Sequence, residues 1–348
     1  PSSIFLKKKH RMYSGGSGSI NAIVADFGTS TTKVGYAGED VPASIVDSFV
    51  GFQTIGEQTN HILPNDLPRH DDIPLKGFNH EGLVADWDVL EIIWEYSIKN
   101  NLFVDTKEHP CLLSERSFSP TAQRHKFCEI WFEKYDVPAL FISKDAVLSC
   151  FAAGRTTGLV ADVGAELATV TPVSDGWAEQ KGIIKSLVAG NMVNKYLQHI
   201  IEKRGQKIPP QHMSSREKAL ATISSSSSNC DEHKMDTTEL EANGDEGEED
   251  LLTYREYRLQ KVVSDIKEGM GRVSDTPVDK SDPRFANMPR LPYELPDGTQ
   301  VQLGSERFEA PELLLNTAPL TEAVGAGAPG AARLRALGAA AARPGFSR

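Results

Sequence analysis

Ile23-Val24-Ala25-Asp26-Phe27-Gly28-Thr29-Ser30-Thr31-Thr32-Lys33-Val34-Gly35-Tyr36-Ala37-Gly38 is the stretch on which the reading of this chain turns. An apolar run of β-formers leads into Asp26 and a turn of small residues. Lys33 and a second strand pattern, broken by Gly35 and Gly38, follow. The pattern predicts a hairpin whose tip is suited to cradle phosphate. Gly28, Thr29 and Ser30 let backbone N–H groups approach an anion, the two hydroxyls add donors, and Lys33 adds positive charge. Asp26, ending the first strand, has the chemistry to hold a hydrated divalent cation. The same residues equally describe an ordinary Gly/Ser/Thr hairpin turn, so the rest of the chain has to decide.

A second stretch, Gly158 to Thr171, repeats the design: Val160-Ala161-Asp162-Val163-Gly164 parallels Val24-Ala25-Asp26-Phe27-Gly28. A repeated strand-Asp-x-Gly-strand unit predicts two related lobes facing one ligand.

The chain has 348 residues, enough for two domains or one large bilobed α/β unit. Its 39% hydrophobic and 24% charged content is that of an ordinary globular protein. Residues 231–250 carry ten Asp or Glu against one Lys and account for most of the net charge of −11. The acidity is therefore local, and no broad basic face supports direct sequence-specific nucleic-acid binding. Four cysteines, Cys111, Cys128, Cys150 and Cys230, form neither a Cys-x-x-Cys pair nor a metal-ligand spacing with His, so free thiols are expected. No apolar run approaches the roughly 18 residues that span a bilayer, and a cytosolic or nuclear protein is expected. Lys7-Lys8-Lys9-His10-Arg11 has the composition of a nuclear-import patch, but it reads better as part of an extension before a start at Met12.

Strand and helix signals alternate along the chain and predict an α/β fold. Asp86 is placed to cap a helix carrying Val89, Leu90, Ile93, Trp94 and Ile98, with Trp87 and Trp94 read as core. A buried strand over His109–Glu115 precedes a helix from about Pro120 to Tyr135. A short strand at Ala139–Ile142 leads to a helix over Asp145–Gly154, with Asp145 read as its N-cap and the glycine as its stop. Gly51 to Gly77 reads as a loop-rich excursion. Helices are expected through Val193–Ile201 and Tyr257–Glu268, and a hairpin over Tyr293–Leu303. The serine run and acidic stretch from Ser224 to Asp250 read as disordered, and the chain from Thr321 onward as low-complexity.

These residues resemble actin and the actin-related proteins. Asp26-x-Gly28 through Lys33-Val34-Gly35-Tyr36-Ala37-Gly38-Glu39-Asp40 is similar to the family's first phosphate loop. Gly82-Leu83-Val84-x-Asp86-Trp87-Asp88, His109-Pro110-x-Leu112-Leu113-x-Glu115 and Ala146-Val147-Leu148-Ser149 follow in family order. So do Gly154-Arg155-Thr156-Thr157-Gly158, Asp162-x-Gly164 and Glu294-Leu295-Pro296-Asp297-Gly298. Phe27, Thr31-Thr32 and the Met12-Tyr13-x-Gly15-Gly16 opening bring the chain nearest the nuclear actin-related protein four, or BAF-subunit, type.

The resemblance implies an actin-like ATPase fold of duplicated ribonuclease H-like lobes, with ATP or ADP and Mg2+ or Ca2+ held between the two hairpins. By this carry-over Gly28, Thr29, Ser30, Lys33 and Gly164 contact phosphates, Asp26 and Asp162 hold the metal through water, and Lys267 and Glu268 meet the nucleoside. The implied organisation is a disordered leader at 1–12, subdomain 1 at 13–47 and 83–152, and subdomain 2 at 48–82. Subdomain 3 follows at 153–188, then subdomain 4 at 189–316 with a disordered acidic insertion at 214–250, and a low-complexity tail at 317–348. The motifs end near Asn316, so the C-terminal part of the fold is expected to be missing.

Two departures bear on activity. Asp145 and Thr169 stand where actin places the Gln and His that position the attacking water, and Glu166 would repel phosphates if it faced them. The implied protein binds ATP with little or no hydrolysis. It is a non-filamentous, nuclear structural subunit beside actin and a helix of a chromatin-remodeller ATPase, with other subunits of remodelling or histone acetyltransferase complexes. The alternatives are an active actin-fold ATPase with Asp145 as general base, or a cytoskeletal actin-like protein.

Overall fold

The computed structural model describes residues 3–6, 22–55, 58–63, 73–210, 252–278 and 283–316. They divide into two compact units, the first holding the described residues up to 63 together with Lys76–Val193, the second residues 73–75 and Asn194–Leu315.

The first unit is built on a six-stranded sheet in the order Ser3–Leu6, Ala139–Lys144, Cys111–Glu115, Ile23–Phe27, Thr31–Tyr36, Ser44–Asp47. Ala139–Lys144, Cys111–Glu115 and Ile23–Phe27 run parallel, with Cys111 opposite both Ile23 and Leu140. Parallel central strands are buried on both faces, which is why Ile23, Leu113, Leu140 and Ile142 are almost inaccessible. The Cys111 thiol, at the start of an interior strand, is buried and free, and burial pushes its pKa up to about 12.

Helix Trp87–Tyr96 covers the sheet with Val89, Leu90, Ile93 and Trp94. Asp86 caps it as expected, accepting from the Val89 N–H at 3.0 Å. Helix Thr121–Glu129 continues into a wider turn over Ile130–Lys134 that buries Trp131. Phe27 sits within 6.1 Å, centroid to centroid, of Phe78, Trp94 and Phe127, and 5.8 Å from Trp131. The x of the first Asp-x-Gly is therefore an aromatic anchor for the hairpin.

A second sheet pairs Gly158–Val163 with Ala168–Ser174, and adds Trp177–Ala178 and Ile184–Ser186.

Two expectations are corrected here. Ser3–Leu6, placed in a disordered leader, is an antiparallel edge strand against Ala139–Ile142. Ser-Ile-Phe-Leu is a β-forming run, and the sheet edge offers it unpaired backbone groups. The described parts of Gly51–Gly77 are also strands rather than a loop excursion. Phe49–Ile55 and Gln58–Ile62 form a hairpin in register from Gly51↔Ile62 to Ile55↔Gln58. Pro74 starts a strand, a position where its missing N–H is tolerated.

The boundary between the units falls inside helix Gly190–Lys203. The second unit contains helix Tyr254–Met270, opened by a reciprocal capping box between Thr253 and Glu256. Gln260 of this helix donates to Gln198 at 2.7 Å. The hairpin Leu291–Glu294/Gln300–Leu303 turns through Asp297-Gly298, with Gly298 at φ +80°, as its sequence predicts. Arg204 pairs with the buried Glu306. The acidic insertion at 214–250, the low-complexity tail at 317–348, the Lys7–Arg11 cluster and Cys230 lie outside the described residues.

Candidate functional site

The C-terminal ends of the three parallel strands converge on one cavity in the first unit. Ligands in α/β folds bind at such strand ends. The cavity measures about 530 Å³, and both Asp-x-Gly turns contribute to its lining. Of the residues expected at the site, Asp26, Gly28, Thr29, Ser30, Lys33, Asp162 and Gly164 all line it. The volume lies within the usual range for small-molecule pockets.

Each turn is held by hydrogen bonds from neighbouring segments. Ser48 donates to the Gly28 carbonyl at 2.7 Å and exchanges a hydrogen bond with the buried Thr32 at 2.9 Å. Asn79 donates to the Phe27 carbonyl at 3.1 Å. In the second turn Gly164 donates to the Leu167 carbonyl at 3.0 Å, and the Gly190 and Asn191 N–H groups donate to Gly164 and Ala165. A Cβ on Gly28 would lie 2.7 Å from the Thr31 carbonyl oxygen, and one on Gly164 would lie 3.1 Å from that of Leu167. Gly28 is therefore required by its close turn, Gly164 is tightly packed in its own, and this cradle fits a phosphate-bearing ligand.

The charged side chains form three groups. Asp26 accepts from Ser114 at 2.5 Å and lies 3.9 Å from Lys33, its cross-strand neighbour. Glu115, almost wholly buried, is held by Arg124 and by Lys144 at 3.0 Å. Arg116 reaches between Asp162, at 2.6 Å, and Asp145, at 3.3 Å. Burial opposes the guanidinium charge, but the two carboxylates outweigh it and raise its pKa above the ordinary value.

Asp145 is not the N-cap of its helix. Lys144 is the extended residue before it, and Asp145 is the first helical residue. Its carboxylate accepts from Ser117 at 2.6 Å and from the Ala146 N–H at 2.7 Å, besides meeting Arg116. Thr169 is buried in the strand opposite Asp162. Glu166 is not among the residues lining the cavity. Lys267 and Glu268 lie on helix Tyr254–Met270 of the second unit, where Lys267 borders a small crevice with Leu197 and Arg307. Burial lowers the Lys267 pKa, partly countered by Glu268.

Of the pair expected to hold a hydrated metal, Asp162 gives one carboxylate oxygen to Arg116 in a short charge-assisted contact, so a metal held there would share that carboxylate with the guanidinium. No group of three or more His, Cys, Asp or Glu side chains is gathered for direct ligation among the described residues. Arg116, Ser114 and Ser117 are the site residues that motif reading missed. The available signal was position: Ser114 lies near the end of a buried parallel strand and Arg116 and Ser117 directly follow it, at the C-terminal edge where α/β sheets bind ligands.

The repeated Asp-x-Gly hairpins, one on each sheet, around a cavity at the parallel strand ends define the actin fold. Residues 17–337 match the Actin family, running past Asn316 where the quoted motifs end. The chain belongs to the actin family. It is 33% identical over 331 residues to an actin-related protein 4 from Arabidopsis thaliana, covering 86% of this chain and 71% of that protein. It is 31% identical over 301 residues to the SWI/SNF and RSC complexes subunit arp42 of Schizosaccharomyces pombe, covering 85% and 70%. An actin-related protein 4 from Yarrowia lipolytica is 32% identical over 330 residues, covering 86% and 68%.

Proposed function

We propose that this chain is a nuclear actin-related subunit of a chromatin-remodelling or histone acetyltransferase complex, one that holds ATP or ADP with little or no hydrolysis. Likeness to proteins called actin-related protein 4, and to one called a SWI/SNF and RSC complexes subunit, supports the complex membership. Gly28, Thr29, Ser30, Lys33 and Gly164 are the residues to hold the phosphates, and Lys267 and Glu268 the nucleoside. Bound nucleotide would supply negative charge and a bridging ligand, not a reaction.

One observation carries the low hydrolysis: the Asp145 carboxylate is taken up on both oxygens, by Arg116 on one and by Ser117 and the Ala146 N–H on the other. A carboxylate so engaged has to release a donor before it can take a proton from an attacking water. Thr169, buried in its strand, offers no imidazole to orient water. The partners are actin and a helix of the remodeller ATPase subunit, in a role without filaments.

Two measurements test this. Tagged chain recovered from nuclear extract is expected to bring down actin and remodeller subunits, and recovery without them refutes the complex assignment. Steady-state phosphate release is expected at background and unchanged by Asp145→Ala. Release that Asp145→Ala abolishes would instead establish an active ATPase.

A further inference from the structure

The site contains a cation of its own. Arg116 lies where the second hairpin meets the sheet, with Nη1 on both Asp162 and Asp145. Its guanidinium occupies a slot edged by two glycines. A Cβ on Gly82 would lie 3.5 Å from its Nε, and one on Gly164 3.4 Å from its Nη2. The guanidinium thus packs closely against both glycines, and Gly82 sits at φ +77°.

The segment carrying Arg116 is tied at several points. Lys144 donates to the Arg116 carbonyl at 3.2 Å, and Ser119 closes a turn onto the same oxygen at 2.9 Å. The side chain of Gln180 donates to the Ser117 carbonyl at 2.9 Å, and Ser117 itself holds Asp145. Glu115, one residue earlier, is fixed by Arg124 and Lys144. Arg116 is thus a preorganised charge whose side chain is mostly buried, not a surface arginine that folds over the cavity by chance.

The geometry points to Arg116 as a built-in counter-cation that replaces the divalent ion in this site, so that nucleotide binds with little dependence on metal. The inference rests on the nucleotide reading above. A divalent ion between two hairpin carboxylates and a polyphosphate offsets the repulsion between them. Arg116 does the same from the protein side: it neutralises one charge of the Asp145/Asp162 pair and presents a planar guanidinium, whose fork of donors suits phosphate oxygens. With one Asp162 oxygen so engaged, a hydrated cation has to compete with Arg116 for one of its two anchors.

The test is direct binding of ADP by isothermal titration calorimetry on the full chain, in Mg2+ and in EDTA, for the wild type and Arg116→Ala. In the wild type the dissociation constant is expected to stay within about threefold when EDTA replaces Mg2+. In Arg116→Ala, binding in EDTA is expected to weaken by about tenfold or more and to recover in part with Mg2+, as Asp162 becomes free to hold the ion. A wild type that loses tenfold or more in EDTA overturns the inference and leaves the nucleotide reading intact. Absence of ADP binding under both conditions overturns both. The wild-type comparison needs no variant, so a misfolded Arg116→Ala would not rescue the idea.

Discussion

At the scale of single residues, the site depends on side chains whose charges are matched by neighbours close in space and distant in sequence. Glu115 is the sharpest instance, a nearly inaccessible carboxylate held by Arg124 and Lys144. Removing one partner of a buried ion pair leaves a charge undercompensated, which typically costs about 3 kcal/mol or more. Arg124→Ala is expected to lower the urea midpoint accordingly, whereas Lys126→Ala, which breaks only the exposed contact to Glu129, is expected to leave it unchanged. Asp86 offers a pH-dependent counterpart. Burial works against its charge, but the Lys76 contact at 2.8 Å and the Val89 N–H prevail and depress its pKa below 3.8. A depressed acid contributes stability that is complete above its unfolded pKa and is lost as pH falls through the folded value. Asp86→Ala should therefore cost about 1 kcal/mol near neutrality and progressively less in acid below about pH 4, as denaturation at a series of pH values would reveal.

At the scale of elements, the two hairpins set what the cavity can hold, and the first depends on its glycine. Gly28→Ala forces a Cβ to 2.7 Å from a backbone oxygen, so the turn has to open. The expected result is a lowered midpoint together with loss of ADP binding. Phe27→Ala attacks the same hairpin from beneath by removing the ring packed among Phe78, Trp94, Phe127 and Trp131. A loss of about 3 kcal/mol is expected in denaturant unfolding, with weaker nucleotide binding as the turn loses its anchor.

These elements were also the most legible part of the sequence. Alternating apolar residues that end in Asp-x-Gly, and an Asp before a helical apolar stripe, are local signals. The hairpins and the Asp86 cap follow from them directly. The Asp145 cap did not follow, because capping depends on which residue leaves the helical backbone, and that residue is Lys144. The hairpin at Phe49–Ile62 was hidden because Gly51 and the nearby prolines outweighed a short alternation. Arg116 was illegible for a different reason. Its partners lie 29 and 46 residues away, and no local pattern announces that three segments will bring their ends together.

At the scale of the whole molecule, all four tryptophans, Trp87, Trp94, Trp131 and Trp177, belong to the first unit, which also holds the cavity. Tryptophan emission therefore reports the unfolding of that unit alone, while far-ultraviolet dichroism reports both. A ligand that binds only the folded form stabilises by about 2.7 kcal/mol at a hundred times its dissociation constant. Saturating ADP is expected to raise the midpoint followed by tryptophan emission by this order. A midpoint that does not move would remove nucleotide from this cavity.

The thiol of Cys111 carries a practical consequence of the same sheet. It sits on the strand between Ile23 and Leu140, one neighbour being the strand that delivers Asp26 to the cavity. With its pKa near 12 and no path to solvent, it is neither ionised nor reachable at neutral pH while the strands stay together. An alkylating reagent can capture it only during excursions that part the starts of these strands. The rate of its modification is a native stopwatch for those openings, and each factor by which a bound ligand slows it reads out, without any engineered label, how firmly the ligand closes the sheet from above.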